Sequence, residues 1–213
     1  MAEKRDNYQI QVMQAKKHFL SYDQQKLVRR CSLRFDERYF YLCFLGEACR
    51  ISRRTGDMER FCGGSWIDGN GFGQVMTILD WLCDSKPDRS ITGRFVNIVT
   101  QGYNFHRNLQ EIKKDPDAEL FSANPDAFCR ACEAMGGEKT TGADIAYTIE
   151  LLDGVKVLLK LHHPDEDFPA QLTCLWEENV LQYIRYETTW FALGVLMSRI
   201  KDYMRRGKEG TKP

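Results

Sequence analysis

The run from Ile145 to Leu161 constrains the fold most, because its pattern sets how two strands pair as well as that they exist. Tyr147, Ile149 and Leu151 alternate with Ala146, Thr148 and Glu150. After Leu152-Asp153-Gly154, Val155, Val157, Leu159 and Leu161 alternate with Lys156 and Lys160. Side chains alternate between the two faces of a strand, so a slip of one residue sends every apolar group to the wrong side. A regular hairpin around a two-residue Asp-Gly turn would set Leu151 against Lys156 and Glu150 against Val157, mixing the faces. A three-residue loop with Gly154 in the left-handed conformation pairs Leu151 with Val155, Ile149 with Val157 and Tyr147 with Leu159. It also sets Glu150 opposite Lys156, a favourable cross-strand pair. The pattern predicts a half-buried hairpin in this second register.

Other segments carry clear periodicities. Tyr8, Val12, Ala15 and Phe19 recur at helical spacing, predicting an amphipathic helix over about Asp6 to Leu20. Asp23 is placed to cap a second helix through Leu27, Val28 and Cys31. Phe40, Leu42 and Phe44 alternate with Tyr41 and Cys43; Leu45-Gly46 reads as a turn and Ala48 to Arg53 as the partner strand. The glycine-rich stretch Cys62 to Gly73 reads as irregular and leads into a helix bearing Val75, Ile78, Leu79 and Leu82. Phe95 to Val99 is a short apolar run in a poorly patterned stretch.

Asn124-Pro125 and Gly136-Gly137 bound a helix from Pro125 to Met135. Ala170, Leu172, Cys174 and Trp176 read as a third strand, and Tyr186, Trp190, Leu193, Met197, Ile200 and Met204 as a long closing helix. The expected architecture is α+β: an antiparallel sheet from the Tyr39–Ser52 and Ile145–Trp176 strands, covered by helices on one side, with helices at both termini. No Pro/Ser-rich linker divides the chain, so a single domain over 1–213 is expected.

Thirty Lys plus Arg balance thirty Asp plus Glu, so no global field draws nucleic acid or an acidic membrane. No run approaches the ~18 apolar residues of a membrane helix, and the charged start Met1-Ala2-Glu3-Lys4-Arg5-Asp6 is not a signal peptide. A cytoplasmic chain is expected, with its eight cysteines as reduced, mostly packed thiols.

Phe44-Leu45-Gly46 before an Arg50-Ile51 strand, the Val75–Leu82 helix and the Phe128–Gly137 helix with its double glycine occur in an order that resembles a known family. So does Glu166-Asp167-Phe168-Pro169-Ala170-Gln171-Leu172, running on to the terminal Leu193-Gly194 helix. The chain is similar, from about 42 to 200, to the bacterial and archaeal family labelled "domain of unknown function three-seven-eight-six". The resemblance implies company common in anaerobes, where some members are joined to iron–sulphur modules of the kind found in corrinoid proteins. It implies no activity, and this chain carries no four-cysteine cluster motif.

Four constellations have chemical potential. His162-His163-Pro164-Asp165-Glu166-Asp167 combines nitrogen and oxygen donors, making His162, Asp165, Glu166 and Asp167 candidate metal ligands. Adjacent histidines leaving a strand point to opposite sides, which favours a solvated turn. Cys129-Arg130-Ala131-Cys132 is a CxxC motif, but Asn124-Pro125 starts the helix a turn earlier, so two packed thiols are expected. Gly69-Asn70-Gly71-Phe72-Gly73 lacks phosphate-loop spacing and reads as a connection. Trp66 and Phe72 are candidates for a ligand or partner surface, and His106 for a base or a packed histidine.

These readings predict a soluble, non-enzymatic accessory or binding protein without a cofactor of its own. Its partner would be a protein or small molecule, not nucleic acid or membrane, with a link to metal- or corrinoid-dependent metabolism implied by the resemblance. The alternative is a small-molecule enzyme with a pocket between the sheet and the glycine-rich 62–73 segment.

Overall fold

The computed structural model describes residues 6–98 and 115–209. They fall into two compact units: Met1–Ser90 with Leu181–Leu196, and Ile91–Val180 with Met197–Pro213. The α+β expectation holds, with helices at both ends. The strands form two antiparallel sheets rather than the one expected, each a five-stranded array.

The first unit opens with α1 (Asn7–Ser21) and α2 (Gln24–Cys31). Asp23 caps α2 as its position predicts, its Oδ1 accepting the amides of Gln25 and Lys26 at 2.9 and 3.3 Å. A meander follows: β1 (Arg34–Phe35), β2 (Tyr39–Phe44), β3 (Glu47–Ser52), β4 (Met58–Cys62) and β5 (Ser65–Ile67), neighbours in chain order. Between β2 and β3, Leu45 and Gly46 both have positive φ, 49° and 76°, as a tight hairpin turn requires. Leucine tolerates this poorly, but its side chain is only 1% exposed, and burial offsets the strain.

The Cys62–Gly73 segment, expected to be irregular throughout, is irregular only over residues 68–71. Gly63-Gly64 turns a second hairpin into β5, and α3 (Phe72–Asp84) begins directly after Gly71. Phe40, Phe44, Cys49, Ile51 and Met58 bury the inner face of this sheet, and Phe19 of α1 meets Phe40 edge-on with ring centroids 6.2 Å apart. A Cβ on Gly73 would lie 2.9 Å from Val195 Cγ2 and 3.1 Å from the Phe191 carbonyl, so α3 and the C-terminal helix bearing those two residues approach only because this position is glycine.

In the second unit β6 (Phe95–Val96) edges a sheet of order β6-β10-β9-β8-β7, with β7 at Glu138–Thr140, β8 at Ile145–Leu152, β9 at Val155–His162 and β10 at Gln171–Glu177. Val99, the end of the apolar run read from sequence, lies outside the described residues. Tyr147 faces Leu159, Ile149 faces Val157 and Glu150 faces Lys156, the predicted register. The odd residue is absorbed differently, however. Leu152 rather than Leu151 pairs with Val155, the loop is the two residues Asp153 and Gly154, and a bulge between Glu150 and Leu152 restores the faces. Glu150 turns to accept the Gly154 amide at 3.0 Å, and Lys156 pairs with Glu138 of β7 at 2.8 Å.

Helices α4 (Pro116–Ser122) and α5 (Pro125–Ala134) pack on β8, β9 and β10. Phe121 and Phe128 stack at 4.8 Å, and Phe128 meets Tyr147 edge-on. Val155, Val157, Leu159 and Leu161 are fully buried beneath them, each contributing about 1.5–3 kcal/mol of burial free energy. The last helix, α6 (Tyr186–Glu209), gives residues through Leu196 to the first unit and from Met197 to the second. No helix among the described residues is long and apolar enough to cross a membrane.

Candidate functional site

The outer face of the first sheet is aromatic. With Phe40 and Phe44 turned inward, Tyr39 and Tyr41 stand on the opposite side. Register then aligns a row Arg34–Tyr41–Arg50–Glu59 across four strands, and pairs Phe61 with Trp66 on β4 and β5. The Arg50 guanidinium lies 4.1 Å from the Tyr39 ring centre and 4.5 Å from that of Trp66, while its Nε donates to Glu59 Oε2 at 2.6 Å. This bond to Glu59 also raises the Arg50 pKa, so the cation is permanent.

Trp66 packs against Phe61 at 5.3 Å and Tyr41 at 6.0 Å. The Tyr41 hydroxyl donates to Asp36 Oδ2 at 2.7 Å; this bond lowers the Asp36 pKa and raises that of Tyr41. The rings are thus held by neighbours before any ligand arrives, and Phe61 remains 46% exposed. A pre-ordered aromatic surface whose clamped cation, Arg50, is neutralised by Glu59 is suited to contact with a flat or apolar partner.

The two surface candidates read from sequence therefore have different surroundings. Trp66 belongs to this face, whereas Phe72 opens α3 and contacts Tyr8 at 4.9 Å and Phe191 at 5.0 Å. Sequence reading missed Tyr39, Tyr41, Arg50 and Phe61 as companions of Trp66. The signal was present in the Tyr-x-Tyr alternation opposite the Phe-x-x-x-Phe core positions, but the partner strand β4 was not recognised.

The His162–Asp167 loop borders a trough of about 630 Å³ beside the end of α4, lined by His163, Asp165, Glu166, Asp167 and Phe168 among others. His162 is not part of its lining. His163 Nδ1 lies 2.7 Å from Ser122 Oγ, and its amide donates to Asp144 at 2.8 Å. His162 Nδ1 lies 3.9 Å from the same Asp144 carboxylate. Asp165 folds back on its own turn, its Oδ1 accepting the amides of Asp167 and Phe168 at 2.9 and 2.8 Å. Among the described residues no group of three or more His, Cys, Asp or Glu side chains is arranged to hold a metal ion. His106 lies outside the described residues.

All eight cysteines are thiols. Burial pushes the pKa of Cys83 and of Cys174 up to about 12 and raises those of Cys31 and Cys132 as well. Cys129 and Cys132 sit within α5, the second of them fully buried. This scattered set does not fit an iron–sulphur cluster held by the chain itself, which needs four convergent thiolates.

Two buried carboxylates escaped sequence reading because their partners are far along the chain. Asp80 of α3 accepts the Arg185 amide at 2.8 Å and its Nε at 2.5 Å. Burial nevertheless raises the Asp80 pKa, outweighing these bonds. Glu177, 1% exposed, accepts the amides of Thr92 and Gly93 and the Thr92 hydroxyl. Both tie loops to helices or strands within their own units.

Two antiparallel sheets with helices at both ends define an α+β protein, one of whose sheets carries a pre-ordered aromatic face. The chain belongs to the family described as Domain of unknown function (DUF3786), whose model matches residues 23–199. No curated protein and no solved structure matches it.

Proposed function

We propose that this chain is a non-enzymatic accessory or binding protein that docks a protein partner on the outer face of its first sheet. The supporting observation is the clamp of Arg50 between Tyr39 and Trp66, with Glu59 neutralising the guanidinium and Phe61 standing exposed beside it. Ordering rings in advance lowers the entropic cost of association, and aromatic anchors dominate binding energy at interfaces. The balanced charge of the chain, thirty Lys plus Arg against thirty Asp plus Glu, favours protein over nucleic acid. We place the partner in metal- or corrinoid-dependent metabolism through the company of the family, and the chain in the cytoplasm of an anaerobe. The open trough at Asp165–Phe168 serves a solvated turn in this reading.

The test is titration of the purified protein with a corrinoid, read by absorbance, and with a corrinoid iron–sulphur protein, read by co-elution. Co-elution that is lost in a Phe61→Ala/Trp66→Ala variant supports the proposal. Absence of both signals removes the metabolic link, and co-elution unchanged in the variant removes the outer face.

A second reading, a small-molecule enzyme, is favoured by one observation. A cavity of about 330 Å³ lies between Asp57–Met58 at the start of β4 and the Asp68–Phe72 connection, close to where such a pocket was expected. Among the described residues its lining contains no histidine. It has the size of a ligand site rather than an assembled acid–base pair.

A further inference from the structure

The same cavity carries a more specific inference, independent of the outer sheet face. The apolar and aromatic part of its lining is Tyr8 and Val12 of α1, Met58 of β4, and Phe72 and Val75 of α3, with Gln9 and Asn70 as neutral polar groups. The Tyr8 and Phe72 rings, which both line the cavity, meet edge to face at 63° with centroids 4.9 Å apart, and Phe72 also packs against Phe191 at 5.0 Å. The connection after β5 is held in place because Asn70 Nδ2 donates to the Met58 carbonyl at 2.7 Å and Asn70 Oδ1 accepts Gln74 Nε2 at 2.6 Å.

Three charged side chains line the cavity, Lys16, Asp57 and Asp68. Lys16 Nζ pairs with Asp57 Oδ1 at 2.6 Å, and the Thr55 hydroxyl takes Asp57 Oδ2, so both oxygens of that carboxylate are committed. Asp68 differs. Its Oδ1 accepts the Gly69 amide at 2.7 Å, and among the described residues no cation lies within ion-pair reach of it. The three charged side chains of the lining, Lys16, Asp57 and Asp68, therefore sum to one negative charge among the described residues. The start of α3 adds a partial positive charge. However, the Gln74 and Val75 amides are bonded to the Gly71 carbonyl, and neither Gly71 nor Gly73 lines the cavity. That dipole offsets the carboxylate without reversing it.

An aromatic pair beside an unpaired carboxylate is the arrangement that recognises an organic cation, through the ring quadrupoles and a direct Coulomb attraction. We infer that this cavity binds a small alkylammonium cation, seated against Tyr8 and Phe72 with its charge toward Asp68.

Three compact probes that each present a cluster of methyl groups vary the charge: tetramethylammonium, tert-butanol and pivalate. Each is titrated into the full chain while the methyl resonances of Val12, Met58 and Val75 are followed. The expected result is saturable shifts with tetramethylammonium at millimolar concentration, little response to tert-butanol and none to pivalate. In Asp68→Asn, folded by its amide spectrum, affinity for the cation is expected to fall about fivefold or more. Phe72→Leu, which keeps an apolar group against Phe191, is expected to weaken it similarly. Equal binding of tert-butanol, preferential binding of pivalate, no saturable shift, or an Asp68→Asn variant that binds as the parent does would each overturn the inference. None of these outcomes bears on docking at Phe61 and Trp66.

Discussion

The Tyr147 hydroxyl donates to Glu133 Oε1 at 2.8 Å, joining β8 to α5 from a ring that is only 1% exposed. Burial raises the Tyr147 pKa, and the bond to Glu133 adds to the shift, so the phenol stays protonated as the donor. Tyr147→Phe keeps the ring contact with Phe128 and removes the donor. It is expected to cost about 1 kcal/mol, measured by urea denaturation, because Glu133 is exposed and its carboxylate can be rehydrated. Leu159→Ala, on the facing strand, is expected to cost about 2–5 kcal/mol through loss of fully buried side-chain volume.

The turn between β8 and β9 depends on Gly154, whose φ is +79°. A Cβ there would lie 3.5 Å from Ile91 Cγ1, an ordinary contact, so the cost of Gly154→Ala is conformational rather than steric. Destabilisation of about 1 kcal/mol is expected, with the β8–β9 amide pattern retained in the spectrum of the variant.

Glu177 accepts three hydrogen bonds from the Thr92–Gly93 segment with its carboxylate buried. Glu177→Gln preserves shape but turns one acceptor into a donor facing other donors. A loss of about 2–3 kcal/mol in unfolding free energy is expected, together with faster hydrogen exchange at the Thr92 and Gly93 amides.

Hydrogen bonds from Lys16 and the Thr55 hydroxyl lower the Asp57 pKa. A carboxylate whose folded pKa is depressed binds protons less readily in the folded state. Its stabilisation is present above the ordinary aspartate range and is lost as pH falls through the depressed folded value. Asp57→Asn should therefore be less stable than the parent near neutrality by about 0.5 kcal/mol, the size set by the exposure of this pair. The two thermal midpoints should converge in acid. A gap that persists there would assign the effect to packing instead.

The parts of the fold legible in the sequence are those in which local pattern and tertiary packing agree. The Tyr147–Leu159 register, the Asp23 cap and the Phe40/Phe44 strand follow from alternation and capping chemistry. The bulge at Leu151 was hidden because a three-residue loop and a two-residue turn plus bulge produce the same facing residues two positions later. The strands β4 and β5 were masked by glycines that suggest disorder of pattern but in fact turn a hairpin. Two separate sheets could not be read from strand patterns, since alternation says which face is buried and not which strands share a ladder. Of the candidate surface, Trp66 was legible as an aromatic in an exposed setting. Its clamp with Arg50 was not, because their proximity passes through two strand pairings.

The most direct measurement for a binding role at the outer face is the affinity of the Phe61→Ser variant for a corrinoid iron–sulphur protein that binds the parent chain. Phe61 is nearly half exposed, so its loss should leave the thermal midpoint close to that of the parent. As a central aromatic anchor it should cost about tenfold or more in Kd. An unaltered Kd with an unaltered midpoint would contradict the account.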